Sequence, residues 1–202
     1  MSGVRYAIYF TPAADSQLWR FGTAVLGYDA YIGAAVAADR RGALASILEA
    51  RHISEPARYG FHAPLRAPFE LKPAVTPSDL VRAAHAFAGI QPIAELGRLK
   101  VAAMGRFVAL VPSSPCEAVM KLAQRCVEHI EPFRAPLSAG DKARRLQADL
   151  SPSQIALLGI WGYPYVFDEF RFHMSLTGRL AEQEMSAILP ALRLAYSEID
   201  QP

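Results

Sequence analysis

Two seven-residue stretches of this chain repeat one pattern, and that repeat restricts its fold more than any other feature. Tyr59-Gly60-Phe61-His62-Ala63-Pro64-Leu65 and Phe170-Arg171-Phe172-His173-Met174-Ser175-Leu176 share an order: aromatic, any residue, Phe, His, any residue, a small turn-type residue, Leu. One copy lies in the first half of the 202 residues and the other near the end. Such self-similarity marks a duplicated structural unit. Side chains alternate faces along a strand. In an extended second copy Arg171, His173, Ser175 and Thr177 therefore share one face, and Phe172, Met174 and Leu176 form the apolar one. In the first copy His62, Pro64 and Arg66 lie opposite Phe61, Ala63 and Leu65. Each copy sets an imidazole on the polar face of a strand whose other face is buried. An approximate two-fold relation between the copies would bring the two histidines together across a cleft.

Two facing imidazoles suit phosphodiester chemistry. One takes a proton from water while the other gives one to a leaving alkoxide, because histidine titrates near neutrality. The Ser175 hydroxyl is placed to hydrogen-bond a phosphate oxygen, and Arg66 and Arg171 to neutralise its charge. Tyr163 and Tyr165 either wall a sugar or base pocket by stacking or simply pack. A metal site at the histidines is the weaker reading, since a mononuclear site normally takes a third protein ligand and the motifs offer none on their polar face. His52, His85 and His129 have no partner pattern.

The remaining segments alternate without a sustained βαβ rhythm, which predicts an α+β fold. Arg5–Phe10 reads as a first strand, Asp15–Leu26 as a helix capped by Asp15 or Ser16 and stopped at Gly27, and 39–50 as a second helix. Residues 60–71 read as an edge or bulged strand because Pro64 and Pro68 remove ladder donors. Thr76-Pro77-Ser78-Asp79 opens a helix running to about Ala88. Residues 93–103 and 106–111 predict a hairpin turning at Met104-Gly105, 115–131 a helix, and Ser151-Pro152 the start of a shorter one. Ser138–Arg145 reads as a polar, basic loop, 165–176 as extended, and 182–195 as a closing helix that Pro190 kinks or breaks.

Lys plus Arg number 21 against 19 Asp plus Glu, too balanced for a protein that coats nucleic acid. An apolar share of 52% with 20% charged excludes a disordered chain. The longest apolar runs fall far short of the ~20 residues a bilayer needs, and the N-terminus lacks signal-peptide order, so the cytoplasm is the expected location. Cys116 and Cys126 would sit ~15 Å apart along one helix, too far for a disulfide. No glycine-rich phosphate cradle occurs in the sequence.

The paired histidine motifs resemble those of the 2H phosphoesterase superfamily. Arg58-Tyr59-Gly60-Phe61-His62-Ala63, and Trp161-Gly162-Tyr163-Pro164-Tyr165 running on through Asp168-Glu169-Phe170-Arg171-Phe172-His173, are similar to one bacterial branch of it. That branch is the uncharacterised, DUF1045-like group labelled as phosphonate-metabolism proteins. The resemblance covers nearly the whole chain. It implies one bilobal domain over residues 1–202, with pseudo-two-fold antiparallel sheets facing a central cleft and helices outside. It also implies a metal-independent, cofactor-free hydrolase that opens or closes 2′,3′-cyclic nucleotides or ribose cyclic phosphates. His62 and His173 would be its acid/base pair, Ser175 a phosphate ligand, and Arg66, Arg171 and Tyr163 further substrate contacts. A small phosphorylated substrate, a nucleotide or an RNA end among the options, is implied, with no membrane and no obligate protein partner. Pro64 departs from the Ser or Thr of the family pattern. A lost charge-assisted hydrogen bond there is worth ~1.5–3 kcal/mol, about ten- to a hundredfold in rate. The alternative is a degenerate member that binds a phosphorylated metabolite or RNA end without turnover.

Overall fold

Helix starts in this chain are written in its caps, and the structure places most of them where the sequence does. The computed structural model describes residues Gly3–Ile199. Strand β1 is Arg5–Phe10, followed by helix α1, Gln17–Leu26, with Ser16 Oγ accepting the Trp19 N–H and Gly27 closing the helix in the left-handed region. Two short strands, β2 Tyr28–Asp29 and β3 Ala34–Ala35, pair antiparallel. The helix predicted for 39–50 is instead three pieces: α2 Ala38–Arg41, α3 Leu44–Ile47 and α4 Ala50–Ala57. Gly42 at φ 53° ends the first of them, and Leu48 turns extended before the third.

Strand β4, Ala63–Glu70, begins one residue after His62 and pairs with β1 in a two-stranded sheet. Both strands of such a sheet are edges, which is why Pro64 and Pro68 are accommodated. Helix α5, Pro77–Gly89, carries the Thr76–Asp79 capping box. The hairpin is shorter than predicted, with β5 Leu99–Met104 and β6 Phe107–Pro112 paired so that Gly105-Arg106 form the turn. Helix α6 is Glu117–Ile130. The segment read as a basic loop is a short helix, α7 Ala139–Arg145, because Ser138 caps it by accepting the Asp141 N–H. Helix α8, Pro152–Trp161, follows the Ser151 cap.

The stretch 165–176 is mostly not strand. A 3₁₀ turn occupies Phe167–Glu169, and only Met174–Ser175 forms β7, antiparallel to β6. Helix α9, Glu182–Ser197, runs unbroken through Pro190. Its buried stripe of Ile188, Leu192 and Tyr196 continues across the proline, so packing outweighs a local cost of about 3 kcal/mol. No described helix is long and apolar enough to cross a membrane.

The described chain is α+β, with small sheets and many helices, and divides into two compact units. One comprises the chain through Tyr9, Pro64–Glu95 and Cys116–Phe172. Its core is Phe69, Leu80, Phe87, Cys126 and Ile130, with Tyr6, Ile8, Leu65 and Leu71 packed against them. Cys126 is fully enclosed, and burial pushes its thiol up to about 12. The other comprises Phe10–Ala63, Leu96–Pro115 and the chain from His173. Its core includes Trp19, Phe21, Phe61, Leu110, Met174, Leu192 and Tyr196, with Phe21 and Tyr196 rings 5.1 Å apart.

Phe61 explains why residue 22 is glycine. A Cβ built there would lie 2.1 Å from the Phe61 ring, so the ring seats directly on the backbone of α1. Gly22→Ala is therefore expected to destabilise by about 1–3 kcal/mol or more through overpacking. Adding Phe61→Leu should recover part of that loss, as read by thermal melts of the two variants against wild type.

Candidate functional site

His62 and His173 fall in the same compact unit, close enough for the charge of one to act on the other. Each occupies the residue just before a strand, β4 for His62 and β7 for His173. The second motif keeps the alternation read from the sequence. Phe172, Met174 and Leu176 are buried, whereas His173 and Ser175 are half-buried and Arg171 is exposed.

The backbone of Val108 in β6 fixes that motif. Its carbonyl accepts the N–H groups of Leu176 at 2.9 Å and Thr177 at 3.2 Å, and its own N–H donates to Thr177 Oγ1 at 2.9 Å. Thr177 Oγ1 in turn donates to the Gly178 carbonyl, so this residue, expected on the polar face, is buried as a backbone clamp. Ser175 pairs with Ala109, and the Phe107 ring lies 5.8 Å from the His173 ring.

The first histidine is set by Gly60. Nδ1 of His62 lies 2.9 Å from the Gly60 carbonyl oxygen. A carbonyl only accepts, so Nδ1 carries the proton and Nε2 the lone pair in the neutral ring. Gly60 has φ 74°, and a Cβ there would meet the Ala30 Cβ at 2.5 Å. Both facts reserve the position for glycine. The Tyr59 ring stands edge-on to His62 at 6.4 Å. Burial holds the His62 imidazole below its ordinary value. The Gly60 hydrogen bond opposes that shift, and the charge of His173 adds to it. At neutral pH His62 is therefore a proton acceptor at Nε2.

The other expected contacts belong to the other unit. Arg66 is 2% exposed, its Nη2 donating to Glu131 at 2.5 Å and to the Trp161 carbonyl at 3.1 Å. Tyr163 packs edge-on to Tyr165 at 5.5 Å and lies under the Arg145 guanidinium, 5.2 Å away. Arg171 Nη1 donates to the carbonyls of Asp168 and Phe170. His52, which showed no pattern in the sequence, is a buried structural residue. Its Nδ1 accepts the Glu49 N–H at the start of α4, and its Nε2 lies 3.3 Å from Glu184 on α9. Glu184 also pairs with Arg51 and accepts the Ala181 N–H, which holds its carboxyl down to about 2. Only the capping position of Glu184 was a usable signal, because the partner sits far away in sequence.

A depressed histidine pKa has a definite sign in stability. Between the folded value and 6.5 the unfolded chain binds more protons, so stability rises with pH through that window and is lost on acidification below about 6.5. Urea titrations from pH 5 to 7.5 should show this slope in wild type and a flatter one in His62→Gln. In His173→Asn, imidazole NMR should show the His62 pKa moving upward.

The chain has similarity to two relatives. Residues over 98% of it match a protein from Janthinobacterium sp. (strain Marseille) at 36% identity, covering 47% of that protein. A second, from Laribacter hongkongensis (strain HLHK9), matches 92% of the chain at 33% identity and 43% of its own length. Both are named ribose 1,5-bisphosphate phosphokinase PhnN. The chain thus spans about half the length of these relatives. A phosphokinase passes a phosphoryl group to an acceptor molecule, whereas a cyclic phosphodiesterase passes it to water. The names therefore overturn the expected hydrolase, and with it the assignment of His62 and His173 as the acid and base of cyclic-phosphate hydrolysis. The expected alternative of binding without turnover gains nothing from them. No solved structure matches the chain. A family model described as "Protein of unknown function (DUF1045)" matches residues 64–202, agreeing with the phosphonate-metabolism branch that the motifs resemble, and the chain belongs to that family.

Proposed function

We propose that this chain binds a phosphorylated pentose of the ribose bisphosphate class at His62 and His173 and handles the proton of its acceptor hydroxyl during phosphoryl transfer. The observation that carries this reading is the electrostatic coupling of two histidines from matched motifs within one compact unit. The relatives' shared name supplies the substrate class and the type of reaction. In phosphoryl transfer to a sugar hydroxyl, the acceptor oxygen forms a bond to phosphorus as the donor's oxygen leaves. The hydroxyl proton must then go to a nearby base. His62 is suited to take it at Nε2, since burial keeps the ring neutral and Gly60 fixes its tautomer. A ring N–H of His173 and the Ser175 hydroxyl donate hydrogen bonds to phosphate oxygens. Pro64 contributes no hydroxyl, so Ser175 is the one hydroxyl two residues after a motif histidine in this reading.

A single domain over residues 1–202, with 2H phosphoesterase-like ancestry, is part of the proposal. It is supported by the matching place of each histidine one residue ahead of a strand.

Calorimetric titration with ribose 1,5-bisphosphate tests the reading. Saturable binding is expected, weakened at least about tenfold (1.4 kcal/mol) by His62→Ala and by His173→Ala. The helical control His85→Ala should bind like wild type. Absence of binding, or wild-type affinity in both histidine variants, would overturn it.

A further inference from the structure

The unit that contains Arg66 holds a narrow cleft of its own, with a cavity volume of about 20 Å³. Arg5, Arg66, Arg134 and Arg145 line it, against the carboxylates of Glu70 and Asp141. Three of the arginines are ion-paired. Arg5 pairs with Asp141 at 2.9 Å, and Arg66 and Arg134 share Glu131 at 2.5 Å each. Among the described residues, no carboxylate lies within ion-pair distance of Arg145.

Two donors in this lining are unmet. Arg66 Nη1 and Arg145 Nε are buried, and neither has a hydrogen-bond acceptor. Buried polar groups are almost always satisfied, and buried cations more strictly than neutral groups. Arg66 is buried to 2% exposure, so bulk water does not make up the deficit. The Arg145 guanidinium carbon lies over the Tyr163 ring, 5.2 Å from its centroid. Burial pushes the Tyr163 phenol up, so its hydroxyl stays a donor at neutral pH. Arginine forks matched to oxyanions, an uncompensated positive charge and a confined space all favour a compact oxyanion such as a phosphoryl group over an extended ligand.

We propose that this cleft is a second binding site, for the phosphoryl head of a phosphate monoester, received by Arg145 Nε and Arg66 Nη1 with the Tyr163 hydroxyl beside them. The organic part of the ligand occupies the open mouth. This site is independent of the histidine pair and stands whether or not that pair binds a pentose.

The test is calorimetry with inorganic phosphate and with ribose 5-phosphate, in 150 mM chloride, on wild type, Arg145→Gln, Arg145→Lys, the exposed neighbour Arg144→Gln, and His62→Ala. Saturable binding of at least one of the two probes is expected in wild type, Arg144→Gln and His62→Ala. It should fall at least about tenfold in Arg145→Gln and to an intermediate extent in Arg145→Lys, which keeps the charge and loses Nε. Tighter binding of ribose 5-phosphate than of phosphate assigns the site to a sugar phosphate, and equal binding to the free anion. Circular dichroism checks that each variant is folded. Crystals grown with tungstate supply a readout free of mutation, with the oxyanion expected within hydrogen-bond distance, about 3 Å, of Arg145 Nε. No saturable binding of either probe to wild type, wild-type affinity in Arg145→Gln, or loss in His62→Ala equal to that in Arg145→Gln would overturn the proposal.

Discussion

The second histidine motif is held by one residue that contributes no side-chain chemistry, since Val108 spends both its backbone groups on it. Its carbonyl takes two N–H groups, from Leu176 and Thr177, and its N–H is taken by the Thr177 hydroxyl. Val108 is fully buried in the middle of the unit. None of these bonds can be exchanged for water without leaving a bare polar group inside. A strand of only two residues, Met174–Ser175, would otherwise be a weak support for His173. With the clamp behind it, the motif inherits the rigidity of the β5–β6 hairpin. On the first motif Gly60 does comparable work, with its carbonyl accepting from His62.

What could be read from the sequence, and what could not, follows from how local each cause is. The Thr76–Asp79 capping box, the Ser16 and Ser151 caps and the left-handed Gly27 act within one helical turn, so α1, α5 and α8 were legible. The Ser138 cap is equally local, yet Ser138–Arg145 reads as a loop because its charged face hides the helical period. Residues 39–50 carry a helical composition, and the backbone breaks it at Gly42 and again at Leu48. In 165–176 the alternation of apolar and polar residues was correct for burial but not for strand, since chain geometry near Phe167–Glu169 is 3₁₀.

The candidate site could be proposed where the repeat spoke and not where partners came from afar. His62, His173 and Ser175 were found as a pattern. Arg66 was expected on the polar face with His62, and its burial depends on Glu131, a partner sixty-five residues on. No rule of strand alternation could anticipate that. His52 likewise acquires its role through Glu184 on the closing helix. The chemistry was the least legible part, because paired histidines serve proton transfer in many reactions. What distinguishes those reactions is the acceptor of the transferred group, which leaves no mark in the motif itself.

Cys126 has a use beyond packing. Its thiol is enclosed and held protonated up to about 12, so alkylating reagents meet neither a thiolate nor an accessible sulfur in the native state. Cys116, partly accessible ahead of α6, lacks that protection. The pair is thus a built-in timer. The first sulfur reports reagent quality, and the lag before the second reports how often the unit around Phe69, Phe87 and Ile130 opens, without any label being introduced.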